Sequence, residues 1–240
     1  MNFLPITEGP GELALKLVAD MERLTLDRIG LIGLQNAERN QAVLDRGRSL
    51  AALREEKIGE GDSCIVIAAA TASSQAVVRR LLETRMKIYW WNPMYDDPDQ
   101  PDSVTRSLFK QNRMPCLNAG GNVGTACWMT AHAVLAKKHV AVVGMDFSYY
   151  DDTPYLSTQY YHDLVALVGE ANLDSVFVRI HNPYLQRWFY TDPAYMWYRN
   201  VFLDLVQDAD CRTHNCTEGG ILFGDGIVFE PLNAFLQRFC

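Results

Sequence analysis

Two glycine pairs and two acidic side chains mark the parts of this sequence equipped for reaction chemistry. In CLNAGGNVGTACW, Gly120 and Gly121 separate two apolar runs, with Asn118, Asn122 and Thr125 as short polar groups around them. In HNCTEGGILFG, Glu218 precedes a second pair, Gly219 and Gly220, with Asn215 and Thr217 alongside. Between the two, HVAVVGMD closes a run rich in valine on Asp146. A glycine turn that opens a helix lets backbone N–H groups approach a ligand, and the orphan amides with the helix dipole favour an anion. A carboxylate just past a buried strand can hold Mg²⁺ against a diphosphate or accept a hydroxyl proton. The first turn has neither the lysine of a P-loop nor the G-x-G-x-x-G dinucleotide spacing. Glycine pairs also serve as βα-turn punctuation or as bulges, so each pair taken alone leaves cradle and turn both open.

The elements that must position these groups alternate. From Ser63 the chain reads as strand (SCIVIAAA), helix (SSQAVVRRLLETR), strand (KIYWW), strand (MPCLN), an apolar helix from Val123 to about Lys137, and strand (HVAVVGM). A helix around residues 158–168 and the strand SVFVRI follow. Such alternation implies right-handed crossovers and a mostly parallel sheet covered by helices on both faces, an α/β, Rossmann-like class. In open sheets of this kind ligands bind outside the carboxyl ends of the strands, which is where Asp146 falls. TDPAYMWYRNVFLDLVQDA predicts a helix capped by Thr191 or Asp192 with Pro193 in its first turn. ILFGDGIVF, with Asp225 and Gly226 between apolar runs, predicts a C-terminal β-hairpin at a sheet edge. Residues 1–60 carry helix-period apolar positions (Leu13, Leu17, Met21, Leu24) and predict an N-terminal helical appendage before a domain over 61–240.

Composition excludes several classes. The 240 residues carry 22 Lys+Arg against 29 Asp+Glu, a net charge of −7, and no basic block of the kind a nucleic-acid partner needs. No apolar run approaches the roughly 20 residues of a membrane span, and the start MNFLPITEGPGELALKLV lacks a basic region and a small-residue cleavage site, so a cytoplasmic protein is expected. Six cysteines at irregular spacing, three within apolar runs, suit reduced thiols better than a disulfide framework. Cys211, His214 and Cys216 lack the second ligand pair of a structural zinc site. No oligomeric state is assigned.

Weaker candidates surround the main ones. WWNPMYDDPDQPD leaves Asn92 and Asp96 at a strand's carboxyl end, although a solvated loop is the plainer reading. Arg179 and His181, beside the aromatic-rich stretch RIHNPYLQRWFYTDPAYMWYR, suit a ligand role, whereas His132 and His139 read as structural. The aromatics suit base stacking and, more commonly, core packing.

CLNAGGNVGTACWMTAHAVLAKKHVAVVGMDFSYY followed by NCTEGG resembles the MptE-like family of archaeal 6-hydroxymethylpterin diphosphokinases, related to the central domain of the Maf motility-associated factor glycosyltransferases. The resemblance runs from about Asn36 to the end. It implies a nucleotide-dependent transferase: Mg²⁺-dependent diphosphoryl transfer from ATP to a hydroxymethylpterin in one branch, or transfer of a nonulosonic sugar from a CMP-activated donor to a protein hydroxyl in the other. It further implies that Gly120, Gly121, Asn122 and Thr125 hold phosphate, with Asn118 beside them, and that Asp146 and Glu218 hold metal or orient a small-molecule or glycan acceptor, with Thr217, Gly219 and Gly220 at the same site. Relatives follow their first strand with a glycine-rich loop; here CIVIAAA runs into TASSQ, which offers only the hydroxyls of Thr71, Ser73 and Ser74. A shortened, catalytically degenerate binding or scaffold module is the alternative of another class.

Overall fold

The computed structural model describes residues 66–83 and 87–239. The expected N-terminal appendage lies outside them. The chain divides into two compact units, one ending at Ala136 and the other running from Lys137 to Cys240.

In the first unit, β1 (Val66–Ala70), β2 (Lys87–Pro93) and β3 (Cys116–Leu117) form a parallel sheet in that order. The crossover helix α1 (Gln75–Leu82) starts where the Ser74 hydroxyl accepts the Val77 amide at 3.4 Å. Its apolar side buries Val77 and Leu81 with Ala69 of β1. Helix α2 (Val104–Asn112) connects β2 to β3. Two expected site candidates serve the frame here. Asn92 is fully buried and exchanges paired amide bonds of 2.9 Å with Asn112, while its oxygen also accepts the Thr71 hydroxyl. Asp96 accepts from the Ser103 hydroxyl and from the Val104 and Thr105 amides, and these bonds, the Ser103 one foremost, hold its carboxyl down at about 2. Its negative charge sits on the exposed amides of a helix N-terminus. Helix α3 (Val123–Met129) closes the unit and passes into a short π-helical stretch, Thr130–Val134, so the expected helix is present but changes its pitch midway.

The second unit holds two sheets. Strands β4 (His139–Val142), β8 (Arg212–Asn215) and β9 (Ile227–Phe229) are parallel, with β8 central. Strands β5 (Tyr149–Tyr150), β7 (Arg187–Thr191) and β6 (Val178–Asn182) are antiparallel. Helices α4 (Tyr161–Val168), α5 (Pro193–Gln207) and α6 (Leu232–Phe239) complete it. Asp192 caps α5 by accepting the Tyr195 amide at 2.8 Å, with Pro193 at the first position, as the sequence predicts. The class is α/β and Rossmann-like, with two corrections.

ILFGDGIVF is not a hairpin: Ile221, Leu222 and Phe223 form no strand, and β9 pairs instead in parallel with β8. The carbonyls that a hairpin partner would use are taken by side chains: Arg199 donates to Ile221 and Phe223 at 2.7 and 2.8 Å, and Asn215 donates to Leu222 at 2.7 Å. The second correction concerns SVFVRI, which does not join the parallel sheet. Its second half forms one arm of a hairpin whose loop is set by the Asn182 side-chain oxygen accepting the Tyr184 and Leu185 amides at 2.9 and 3.1 Å.

The aromatic stretch divides: Phe189 and Tyr190 are buried in the core, whereas Tyr184, Trp188 and Trp197 are exposed. Phe177 and Tyr190 pack with Leu164 and Leu173, and Tyr155 stacks on Phe177 at 4.2 Å. Buried His214, flanked by the two cysteines of CRTHNC, contacts Glu230 through Nδ1 at 2.6 Å, and Glu230 pairs with Arg238 at 2.9 Å. Burial pulls His214 below the usual histidine range, so the neutral ring donates Nδ1–H to the carboxylate and its Nε2 accepts from His139 at 3.2 Å.

Candidate functional site

Strands β4 and β8 run side by side and end in register at Val142 and Asn215, so the segments that follow both leave the same carboxyl rim. Val143–Asp146 and Cys216–Gly220 are those segments. They interlock: Met145 donates its amide to the Thr217 hydroxyl at 3.4 Å, Cys216 donates to the Val142 carbonyl at 2.9 Å, and Ile221 donates to the Asp146 carbonyl at 2.9 Å. The structure thus packs the loop that carries Asp146 against the loop that carries Thr217, Gly219 and Gly220.

The second glycine pair has a defined reason. Gly220 has φ +71°, and a Cβ there would lie 2.4 Å from both the Cα and the carbonyl oxygen of Asp146. A Cβ on Gly219 would lie 2.7 Å from Asp146 Oδ1 and 3.2 Å from the Tyr150 hydroxyl. The close approach inferred from these glycines is therefore an approach to Asp146 itself. Glu218 is exposed, in the left-handed region at φ +59°, and it points its charge to solvent beside this packing.

Asp146 is partly buried, and the one hydrogen bond its carboxylate accepts among the described residues comes from its own amide. Desolvation, only partly offset by that bond, pushes its carboxyl up to about 6. A carboxyl poised there suits either proton transfer near neutral pH or capture of a cation that would restore its charge. No cluster of three or more His, Cys, Asp or Glu side chains suited to a metal occurs among the described residues. A single carboxylate still fits Mg²⁺, which takes one or two protein carboxylates and completes its shell with water and substrate phosphate.

Reasoning from sequence missed three groups here. Tyr150, Asn182 and Arg187 belong to the antiparallel sheet, and no local pattern ties them to Asp146. Asn182, fully buried, donates to the Gly220 carbonyl at 2.8 Å, and Arg187 lies directly opposite Asn182 in the hairpin.

The other glycine turn belongs to the first unit. Gly120 and Gly121 have φ +55° and +79°, and a Cβ on Gly120 would lie 2.6 Å from Thr125 Cγ2. Asn122 caps α3, accepting the Thr125 amide and donating to its hydroxyl, both at 2.9 Å, and the Asn118 oxygen accepts the Gly120 amide at 3.1 Å. Much of the polar inventory expected to meet phosphate is thus spent inside the turn. Replacing Asn122 by alanine is expected to cost about 1 kcal/mol by loss of the cap, read as a lower urea midpoint with an unchanged slope. Arg179, offered for a ligand role, is paired with Asp151 at 2.6 Å, and His181 lies against Trp188 with ring centroids 5.2 Å apart.

The chain superposes on the Maf glycosyltransferase of Magnetospirillum magneticum AMB-1 with a TM-score of 0.55 and 14% identity, over 95% of its own length and 33% of that chain. The protein is Maf-like in fold. It spans a third of the length of that relative. No protein family and no curated protein matches the sequence. The likeness bears on the Maf side of the resemblance, while the MptE-like side rests on the motif residues alone. No helix among the described residues is long and apolar enough to cross a membrane.

Proposed function

We propose that the chain is a glycosyltransferase-type module acting on a nucleotide-activated sugar, with Asp146 at the centre of its site. The observation that carries this reading is the poorly solvated Asp146 carboxylate at the shared carboxyl rim of β4 and β8, packed against Gly219 and Gly220. A carboxyl near 6 can take the proton of an acceptor hydroxyl as its oxygen bonds to the sugar and the sugar–phosphate bond breaks, releasing the nucleotide, or it can anchor Mg²⁺ on the donor's phosphates. Mg²⁺ would supply charge neutralisation, and Asp146 would hold it; Glu218, exposed beside the site, would orient the acceptor. The Maf-like fold supports sugar transfer over the diphosphokinase reading, in which ATP would pass a diphosphoryl group to a hydroxymethylpterin.

The test is a thermal-shift panel of ATP, CTP, CMP and UDP with and without Mg²⁺, followed by turnover of a CMP-sugar with flagellin and of ATP with hydroxymethylpterin. A ligand present at 100 times its dissociation constant stabilises by about 2.7 kcal/mol. Stabilisation by CMP and turnover of the CMP-sugar are expected. Turnover of the pterin pair would move the protein to the diphosphokinase side, and binding without any turnover would make it a degenerate binding module. Gly121→Val tests whether the first turn takes part: this exposed glycine has φ +79°, so a β-branched residue strains the backbone locally. Loss of nucleotide stabilisation with cooperative unfolding retained is expected if the turn cradles phosphate, and unchanged stabilisation would remove the turn from nucleotide binding.

A further inference from the structure

We propose that Tyr150 and Arg187 complete the Asp146 site as an oxyanion clamp for a phosphoryl group of the donor, an inference that rests on the transferase reading above. The strand register makes the clamp. Tyr150 of β5 pairs with Phe189 of β7, and Arg187, two residues earlier, falls on the same face of β7 as Phe189. Its guanidinium accordingly sits over the Tyr150 ring, 5.5 Å from the centroid.

The far end of Tyr150 faces the Asp146 carboxylate across Gly219. Its hydroxyl and Asp146 Oδ1 lie 3.2 and 2.7 Å from one point, the place a Gly219 Cβ would occupy. The hairpin that carries Arg187 is fastened to the same loop by the buried Asn182 amide on the Gly220 carbonyl. A phenol hydroxyl is a donor, and here the Asp146 carboxylate lies near its tip and the Arg187 guanidinium over its ring.

Charge then selects the ligand. Arg179 on the neighbouring strand is committed to Asp151, whereas no ion pair involves Arg187 among the described residues. An exposed guanidinium beside a protonated phenol suits a phosphoryl oxygen, since both groups donate and the fork takes two oxygens at once. A carboxylate next to that anion would repel it unless a cation lies between, which is the place for Mg²⁺ on Asp146. The clamp thus calls for a metal-bound phosphoryl group: positive charge on one side from Arg187, on the other from the metal.

The experiment is calorimetric titration of the whole chain with inorganic diphosphate at saturating Mg²⁺. Arg187→Gln is expected to weaken binding about tenfold, the loss of a charge-assisted hydrogen bond, with Arg187→Lys intermediate. Tyr150→Phe is expected to weaken it severalfold, with cooperative thermal unfolding verifying that each variant folds. Wild-type binding that Arg187→Gln and Tyr150→Phe leave unchanged overturns the clamp, as does absence of binding by the wild type at about 10 mM diphosphate, well past a millimolar dissociation constant. Asp146→Asn separates the two ideas. Binding lost in Asp146→Asn and kept in Arg187→Gln sinks the clamp and leaves the Asp146-centred reading; the reverse keeps the clamp and removes Asp146 from the centre.

Discussion

Asp146→Asn is expected to make the protein more stable at pH 7.5 while abolishing Mg²⁺-dependent donor binding and turnover. Burial raises the Asp146 carboxyl from its ordinary 3.8 to about 6, so the folded state holds this proton more tightly than the unfolded chain does. The group's favourable contribution is fully present below the unfolded value and is lost as pH rises through the folded one. Above pH 6 the wild type therefore carries an ionised carboxylate in a poorly solvated place. At 1.36 kcal/mol per unit this costs on the order of 2–3 kcal/mol. The neutral amide of asparagine escapes that cost, and its gain develops between about pH 4 and 6 and is flat above. For a chain of this size the gain corresponds to a rise of about 4–12 °C in Tm. Melting curves from pH 4 to 8 with and without Mg²⁺ measure both halves. Equal Tm at every pH, or turnover that survives, would remove Asp146 from the chemistry. Stability given up at one side chain is a common mark of a site that works.

Gly220→Ala is expected to be the most damaging single substitution in the second unit, costing about 3–5 kcal/mol or preventing folding. Its added Cβ meets backbone rather than a flexible tip, 2.4 Å from Asp146 Cα and O, in a left-handed conformation that L side chains avoid. The Ile221 amide bond to the Asp146 carbonyl leaves that backbone little room to yield. Gly219→Ala behaves differently. Its new Cβ meets Asp146 Oδ1 at 2.7 Å and the Tyr150 hydroxyl at 3.2 Å, groups that can swing away. A stability loss of about 1 kcal/mol is expected there, with disproportionate loss of donor binding as the carboxylate is displaced. Urea unfolding compared with nucleotide titration distinguishes the two outcomes. A Gly220→Ala protein as stable as the wild type would refute the packing described for this loop.

The sequence by itself determined the local elements and the groups able to react. Short apolar runs alternating with helix-period stretches specify β1, β2, β4 and their helices because period and side-chain shape act within a few residues. Asp192 with Pro193 set the start of α5 for the same reason. Asp146, Gly219 and Gly220 were legible because a carboxylate past a strand and paired glycines each carry a short-range signal. What joined them was decided by tertiary structure, since the register of β4 against β8 is a long-range pairing with no trace in either strand alone. Arg199 and Asn215 turned an apparent hairpin into a crossover by taking its carbonyls from elsewhere in the chain. The same holds for Asn92 and Asp96, whose site-like positions became structural once Asn112, Thr71 and Ser103 arrived to bond them. Arg187 came to lie over the Tyr150 ring only through the antiparallel pairing of β5 with β7, and the Asn182 bond to Gly220 ties their sheet to the loop that packs on Asp146. Local propensity acts over a turn or a pleat, whereas a site is assembled from contacts between segments that the chain brings together only on folding.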